Sequence, residues 1–234
     1  MSRRNSKHWL LGATILTACA PSQIDLGSYV AFESPQAGAV ESTQLVKESH
    51  EVVWARLVAR LSASSFFITQ IDRDSHLITV EFAAPMPGEY LDCGTARGAY
   101  VAEGETTQTE VMLADGGHIQ WGVKTRKHTG VEIEERGDLS YRAHLNGGAN
   151  IHAAPDLSGG TRVMANARYV LGIEHAGPGS DAGGPPAGLR NAYVFTTHGK
   201  EAYETSNTAV QMLQCTSTGV LENMILEMAA AGPG

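Results

Sequence analysis

The sequence predicts an α+β fold in which an antiparallel β-sheet packs against an N-terminal and a C-terminal helix, all within a single domain. Three observations predict it. Apolar residues recur at three- and four-residue intervals near both ends of the body, at Val46, Val53, Trp54, Leu57, Val58 and Leu61 and again at Leu221, Met224, Ile225 and Met228. Between them lie segments that alternate with a period of two, clearest at Ile78–Phe82, Leu139–Leu145 and Val163–Ile173. No strand–helix–strand alternation occurs, which excludes a parallel doubly wound sheet; each amphipathic helix then needs a sheet face to cover.

The elements follow in order. Ser42 or Thr43 is placed to cap the first helix, with Glu48, Glu51, Arg56 and Arg60 on its polar side. Phe66–Asp72 and His76–Phe82, separated by Arg73-Asp74-Ser75, read as a hairpin with one buried face. Glu105–Ala114 and Ile119–Thr125 are candidate strands joined by the turn Asp115-Gly116-Gly117. Leu139–Leu145 and the alternating run Val163–Ile173 make a second antiparallel pair, and Asn146–Gly160 between them is rich in Gly, Asn and Pro. Residues 176–188 carry five glycines and three prolines and read as a mobile surface loop. Asn191–His198 is a further strand, and Gly232 and Pro233 stop the last helix. The domain expected from these elements is 43–230.

With 234 residues, 42% hydrophobic and 18% charged, the chain can build a core, so wholesale disorder is excluded. No run of 18 apolar residues exists, which excludes a multispanning helical membrane protein. The formal charge is −8. Without residues 1–18, which carry three cations and no acid, 14 cations remain against 25 acids and the charge is −11. Such a balance opposes nucleic-acid binding, which needs a basic face.

The chain start gives an address. Met1–His8 is basic, Trp9–Ala18 is mostly apolar and too short to span a bilayer, and a cysteine follows; this is the layout of a secretory signal over 1–18. The alternative is a buried helix with Cys19 as a core thiol. Leu16-Thr17-Ala18-Cys19 resembles the bacterial lipobox, which implies lipidation at Cys19, cleavage before it, and attachment to the membrane through that anchor. Ala20 stands where an aspartate would mark inner-membrane retention in enterobacterial lipoproteins, so the expected location is the outer membrane, facing the periplasm. The inner-membrane periplasmic leaflet and the cell surface are the alternatives. Residues 19–42, with Pro21, Gly27, Pro35 and Gly38, read as a flexible tether.

Lipidation would consume Cys19 and leave Cys93 and Cys215 in an oxidising compartment, where an even remainder suggests a disulfide. Two buried thiols or a redox pair compete with it, although no C-x-x-C is present.

Val53-Trp54, Leu57, Leu61, Phe66-Phe67-Ile68, Asp72 and Leu77–Phe82 resemble the opening of BamC-like envelope lipoproteins. Tyr90-Leu91-Asp92-Cys93-Gly94 and Cys215–Glu222 are similar to the paired cysteine motifs of uncharacterised proteobacterial outer-membrane lipoproteins. The resemblance covers 43–94 and 205–229. It implies a helix-grip fold and a role accessory to outer-membrane protein assembly, with envelope proteins as partners. True BamC carries two such modules after a long tether, and this chain has room for one.

No catalytic residues, cofactor site or metal site are expected. G-x-S-x-G is absent, Gly177-Pro178-Gly179-Ser180-Asp181 belongs to the loop, and no P-loop, dinucleotide fingerprint or H-E-x-x-H occurs. His144, His152, His175 and His198 are too widely spaced to form a short ligand pair. Asp72 with Asp74, and Glu132 with Glu134 and Glu135, sit in a turn and a charge run, where solvation outweighs acid–base work. Thr218 before Gly219 reads as a helix cap rather than a catalytic hydroxyl. The expected function is that of a structural or adaptor lipoprotein of the envelope. A module binding a small apolar ligand or peptide in the helix–sheet cleft is the first alternative, and a periplasmic hydrolase is the second.

Overall fold

The computed structural model describes residues 30–36, 38–102, 105–128, 131–176, 188–205 and 212–230. The segment 1–18 expected to be a signal, Cys19 as the expected lipidation residue and most of the expected loop 176–188 therefore lie outside the described residues.

The elements run β1 (Val30–Glu33), β2 (Thr43–Val46), α1 (His50–Ser62), β3 (Phe67–Asp72), β4 (Leu77–Ala84), a 3-10 turn (Pro87–Glu89), β5 (Leu91–Asp92), β6 (Thr95–Ala102), β7 (Glu105–Met112), β8 (Gly116–His128), β9 (Val131–Pro155), β10 (Thr161–His175), β11 (Arg190–Thr196), β12 (Ala202–Glu204), β13 (Met212–Gln214), β14 (Thr216–Ser217) and α2 (Val220–Ala230). Antiparallel strands dominate and two helices accompany them. The largest sheet has seven strands, with β11-β10-β9-β4-β3 in order, β2 beside β10 and β8 beside β9. A three-stranded sheet β1-β6-β7 is separate from it.

Alternation in β10 decides the layering. Val163, Ala165, Ala167, Tyr169 and Leu171 are buried, whereas Arg162, Asn166 and Arg168 between them are exposed. The buried set faces the helices: α1 packs on β9 and β3, α2 packs on β10 and β2, and the helices touch each other. Leu57, Leu61, Ile78, Val80, Ile151, Tyr169, Leu171, Leu221 and Ile225 fill the space between helices and sheet. At about 1.5 to 3 kcal/mol per buried large apolar side chain, this layer is the main stabilising term. Arg56 and Arg60 do more than face water. Arg56 pairs with Glu48 and donates to the Ala229 carbonyl at 2.6 Å, and Arg60 donates to the Met228 carbonyl at 3.3 Å, so both satisfy the open carbonyl end of α2.

Three expectations change. Thr43–Val46 is strand β2, not the start of a helix, because it supplies backbone partners to Thr161–Met164; α1 begins after Ser49, whose carbonyl accepts the Val52 and Val53 N–H groups. The 19–42 tether loses its second half, because Val30–Glu33 pairs with Thr95–Gly98 and Gln36 N–H donates to Asp92. The turn at 115–117 joins β7 to β8 as expected, although the two strands do not pair with each other: β7 pairs with β6 and β8 pairs with β9. Asn146–Pro155 is strand, continuous with Leu139–Leu145. Its glycines belong there for a packing reason: a Cβ at Gly147 would lie 2.7 Å from the Phe82 ring and 2.8 Å from the Arg168 carbonyl oxygen.

The Cys93–Cys215 disulfide is present, with both residues buried and 122 positions apart in sequence. It lies beside the short pair β5–β14, in which Asp92 and Thr216 are register partners, and it fastens the start of β6 to the segment that leads into α2. Among the described residues no helix is long and apolar enough to cross a membrane.

Candidate functional site

One face of the seven-stranded sheet is covered by the helices and the other holds a groove of about 810 Å³. Strand register arranges this open face in three rows, whose central parts form the floor of the groove. The central row runs Phe67, Glu81, Gly148, Arg168, Thr196 across β3, β4, β9, β10 and β11. On one side of it lies Gln70, Thr79, Asn150, Asn166, and on the other Ala83, Asn146, Val170, Val194. Thr79 donates to Asn150 Oδ1 at 3.1 Å, which orients that amide within the floor. At one end His198 Nε2 and Ser42 Oγ are 2.9 Å apart. Gly148 leaves a bare patch at the centre, and a Cβ built there would sit 3.0 Å from the Val80 carbonyl oxygen and 4.0 Å from Glu81 Cγ. The groove therefore presents amides, hydroxyls, one carboxylate and one guanidinium around an uncovered stretch of backbone.

The covered face contains a second polar group of a different kind. The Tyr169 hydroxyl lies 3.0 and 3.1 Å from the two Glu222 carboxylate oxygens and 3.2 Å from Ser217 Oγ, and all three residues are buried. Ser217 Oγ also accepts the Gly219 N–H at 3.0 Å as the chain turns into α2. Burial, and then the Glu222 charge, push the Tyr169 hydroxyl well above its ordinary pKa, so it remains a donor. With every polar atom partnered and no opening to solvent, this group locks α2 to β10; buried networks of this kind specify packing.

The residues singled out from sequence are placed as follows. Asp72 Oδ1 accepts the N–H groups of Asp74 and Ser75 at 3.1 and 3.2 Å, and the Ser75 hydrogen bonds hold its carboxyl below its usual pKa; the carboxylate shapes a turn. Glu132, Glu134 and Glu135 fall on β9, with their side chains outside the described residues. Thr218 Oγ1 donates to the Glu89 carbonyl at 2.7 Å and accepts the Val220 N–H at 3.4 Å, a capping contact shared with a tie to the 3-10 turn. His144, His152, His175 and His198 do not converge. His144 stacks over Gly172, where a Cβ would strike its ring, and His175 is half-buried beside Tyr141.

Sequence spacing missed a different histidine group. His50 opens α1, His76 sits in the β3–β4 turn with φ of 57°, and His152 lies on β9; ring centroids are 4.6 Å apart for His50–His76 and 6.2 Å for His76–His152. His50 Nε2 and His76 Nδ1 are buried without a partner. Burial, and then the charge of His76, lower the His50 pKa. Among the described residues, no set of three His, Cys, Asp or Glu side chains is arranged to hold a metal ion. The only sequence signal for the trio was His76 directly before an alternating strand. A cavity of about 30 Å³ lined by Leu113, Leu139, Tyr141, Ile173 and Leu213 has room for a water molecule but not for an apolar ligand.

No protein-family model, no curated protein and no solved structure matches the chain.

Proposed function

We propose that this chain is a lipid-anchored protein of the bacterial envelope that works by holding a partner on the open face of its sheet and catalyses no reaction. The observation that carries the reading is the contrast within one sheet, a sealed apolar face and an uncovered polar face with a groove large enough for a ligand. A buried disulfide supports maturation in an oxidising compartment. The lipobox-like Leu16–Cys19 segment supports attachment through Cys19, with the outer membrane, facing the periplasm, as the location. Helices gathered on one side of an antiparallel sheet suit a helix-grip arrangement, and the BamC-like segments suit a role accessory to outer-membrane protein assembly.

The test combines metabolic palmitate labelling with a photoreactive amino acid at position 166 in intact cells. Labelling lost in Cys19→Ala, and an adduct to an envelope protein from 166 but not from the exposed hairpin tip at 157, are the expected results. Label retained in Cys19→Ala, or native protein found in the cytosol with residues 1–18 attached, overturns the anchor. Equal adducts from both positions overturn the assignment of the open face.

A further inference from the structure

The central row of the open face carries more information than its polarity. Glu81 and Arg168 occupy the same row on β4 and β10, each the register partner of Gly148 on β9. Two inter-strand spacings, roughly 10 Å between their Cα atoms, separate them. Neither side chain has a hydrogen bond or ion pair to any described residue, although Arg97, Arg162 and Arg190 on other exposed strands each pair with a carboxylate. The glycine between them removes the one side chain that would otherwise fill the gap. A carboxylate and a guanidinium thus flank an open floor without meeting across it. Asn150 and Asn166 line one long side of this gap and Asn146 the other, each amide offering a donor and an acceptor.

We infer that the groove takes a short zwitterionic peptide, its amino terminus at Glu81, its carboxylate at Arg168 and its backbone amides against the asparagines. Charge complementarity selects this occupant. A neutral sugar leaves both charges unmatched, and an anionic polymer places like charge beside Glu81. An extended residue spans about 3.3 to 3.6 Å, so two or three residues bridge the distance between the charged ends. The guanidinium suits a terminal carboxylate because it can grip both oxygens at once. This assignment rests on the binding role proposed for the open face and specifies the chemistry of what is bound.

The experiment titrates full-length lipidated protein in detergent micelles with trialanine, N-acetyl-trialanine, trialanine amide and a neutral N-acetylglucosamine trimer, read by calorimetry. Saturable binding of trialanine is expected, weakened about fivefold to tenfold by either cap. Arg168→Ala should weaken trialanine by a similar factor and erase the difference between acid and amide. Glu81→Gln should do the same for the amine and its acetylated form. Both positions are exposed, and an unchanged melting temperature shows that the fold is intact. No binding of trialanine, indifference to the caps, indifference to Arg168→Ala, or tighter binding of the sugar trimer each overturns the proposal. The outcome is separable from the adaptor reading: if trialanine fails while the adduct from position 166 forms, the reading stands and this ligand class falls.

Discussion

The two faces of the central sheet are made by the same strands and do opposite things. On the covered side Ile78, Val80, Ile151, Val163, Ala165, Tyr169 and Leu171 are fully buried, and the polar cluster Tyr169–Ser217–Glu222 has every hydroxyl and carboxylate oxygen partnered. One residue along each strand, Thr79, Glu81, Asn150, Asn166 and Arg168 face a groove, and the two charges among them have no partner among the described residues. Stability and the proposed recognition are thus separated by the pleat alone. Substitutions on the covered side should change folding, and those on the open side should change binding, although the Cα atoms concerned are neighbours.

The largest effect expected from breaking the covered side comes from the disulfide. Replacing Cys93 and Cys215 by serine releases a loop closed across 122 positions and should cost about 3 to 5 kcal/mol. Urea unfolding of the double variant measures it, and a midpoint shift worth under about 1 kcal/mol would show that the bridge is incidental. Next is Leu57→Ala in α1, fully buried, with an expected cost of about 3 kcal/mol, against under about 0.5 kcal/mol for Asn166→Ala on the opposite face. Comparable losses from the two would erase the contrast between the faces.

Tyr169→Phe removes the shared donor to Glu222 and leaves the buried carboxylate with Ser217 alone; about 2 kcal/mol is expected. A neutral result in thermal unfolding would mean that water or another group replaces the hydroxyl.

The smallest effect is on pH dependence. His50 has its pKa lowered from an ordinary value of 6.5 by burial, then by His76 and Arg73, against a smaller opposing pull from Glu51 and the nearby Ala153 backbone. The Trp54 ring lies beside His50, and His152 is in ring contact with His76. Because the unfolded chain binds the proton more readily, the contribution of His50 is intact above about pH 6.5 and is lost as pH falls below that value. Stability measured between pH 7.5 and 5.5 should fall in the native protein and fall less in His50→Phe. Equal slopes would remove His50 from the account.

The sequence made the covered face largely legible and the open face legible only in part. Period-two alternation located the β3–β4 hairpin and the β9–β10 pair, and the cysteine count located the disulfide, because these signals are local or arithmetic. Thr43–Val46 was masked because four residues of strand lie directly before a helix and share its apolar spacing. Asn146–Pro155 is hidden because its glycines and asparagines have the composition of a loop, and the approach of the Phe82 ring and the Arg168 carbonyl that explains Gly147 exists only in the folded sheet. The Glu81–Gly148–Arg168 row and the His50–His76–His152 group exist only once register and packing are fixed. Glu222 reads as an exposed helical acid until Tyr169, 53 positions earlier in the chain, is found beside it.

The most direct measurement is an amide chemical-shift map of the full-length protein in micelles as trialanine is added. The largest shifts are expected at Thr79–Phe82, Asn146–Asn150 and Asn166–Val170, with α1 and α2 unmoved. Largest shifts on the two helices, or shifts spread evenly over the molecule, would contradict it.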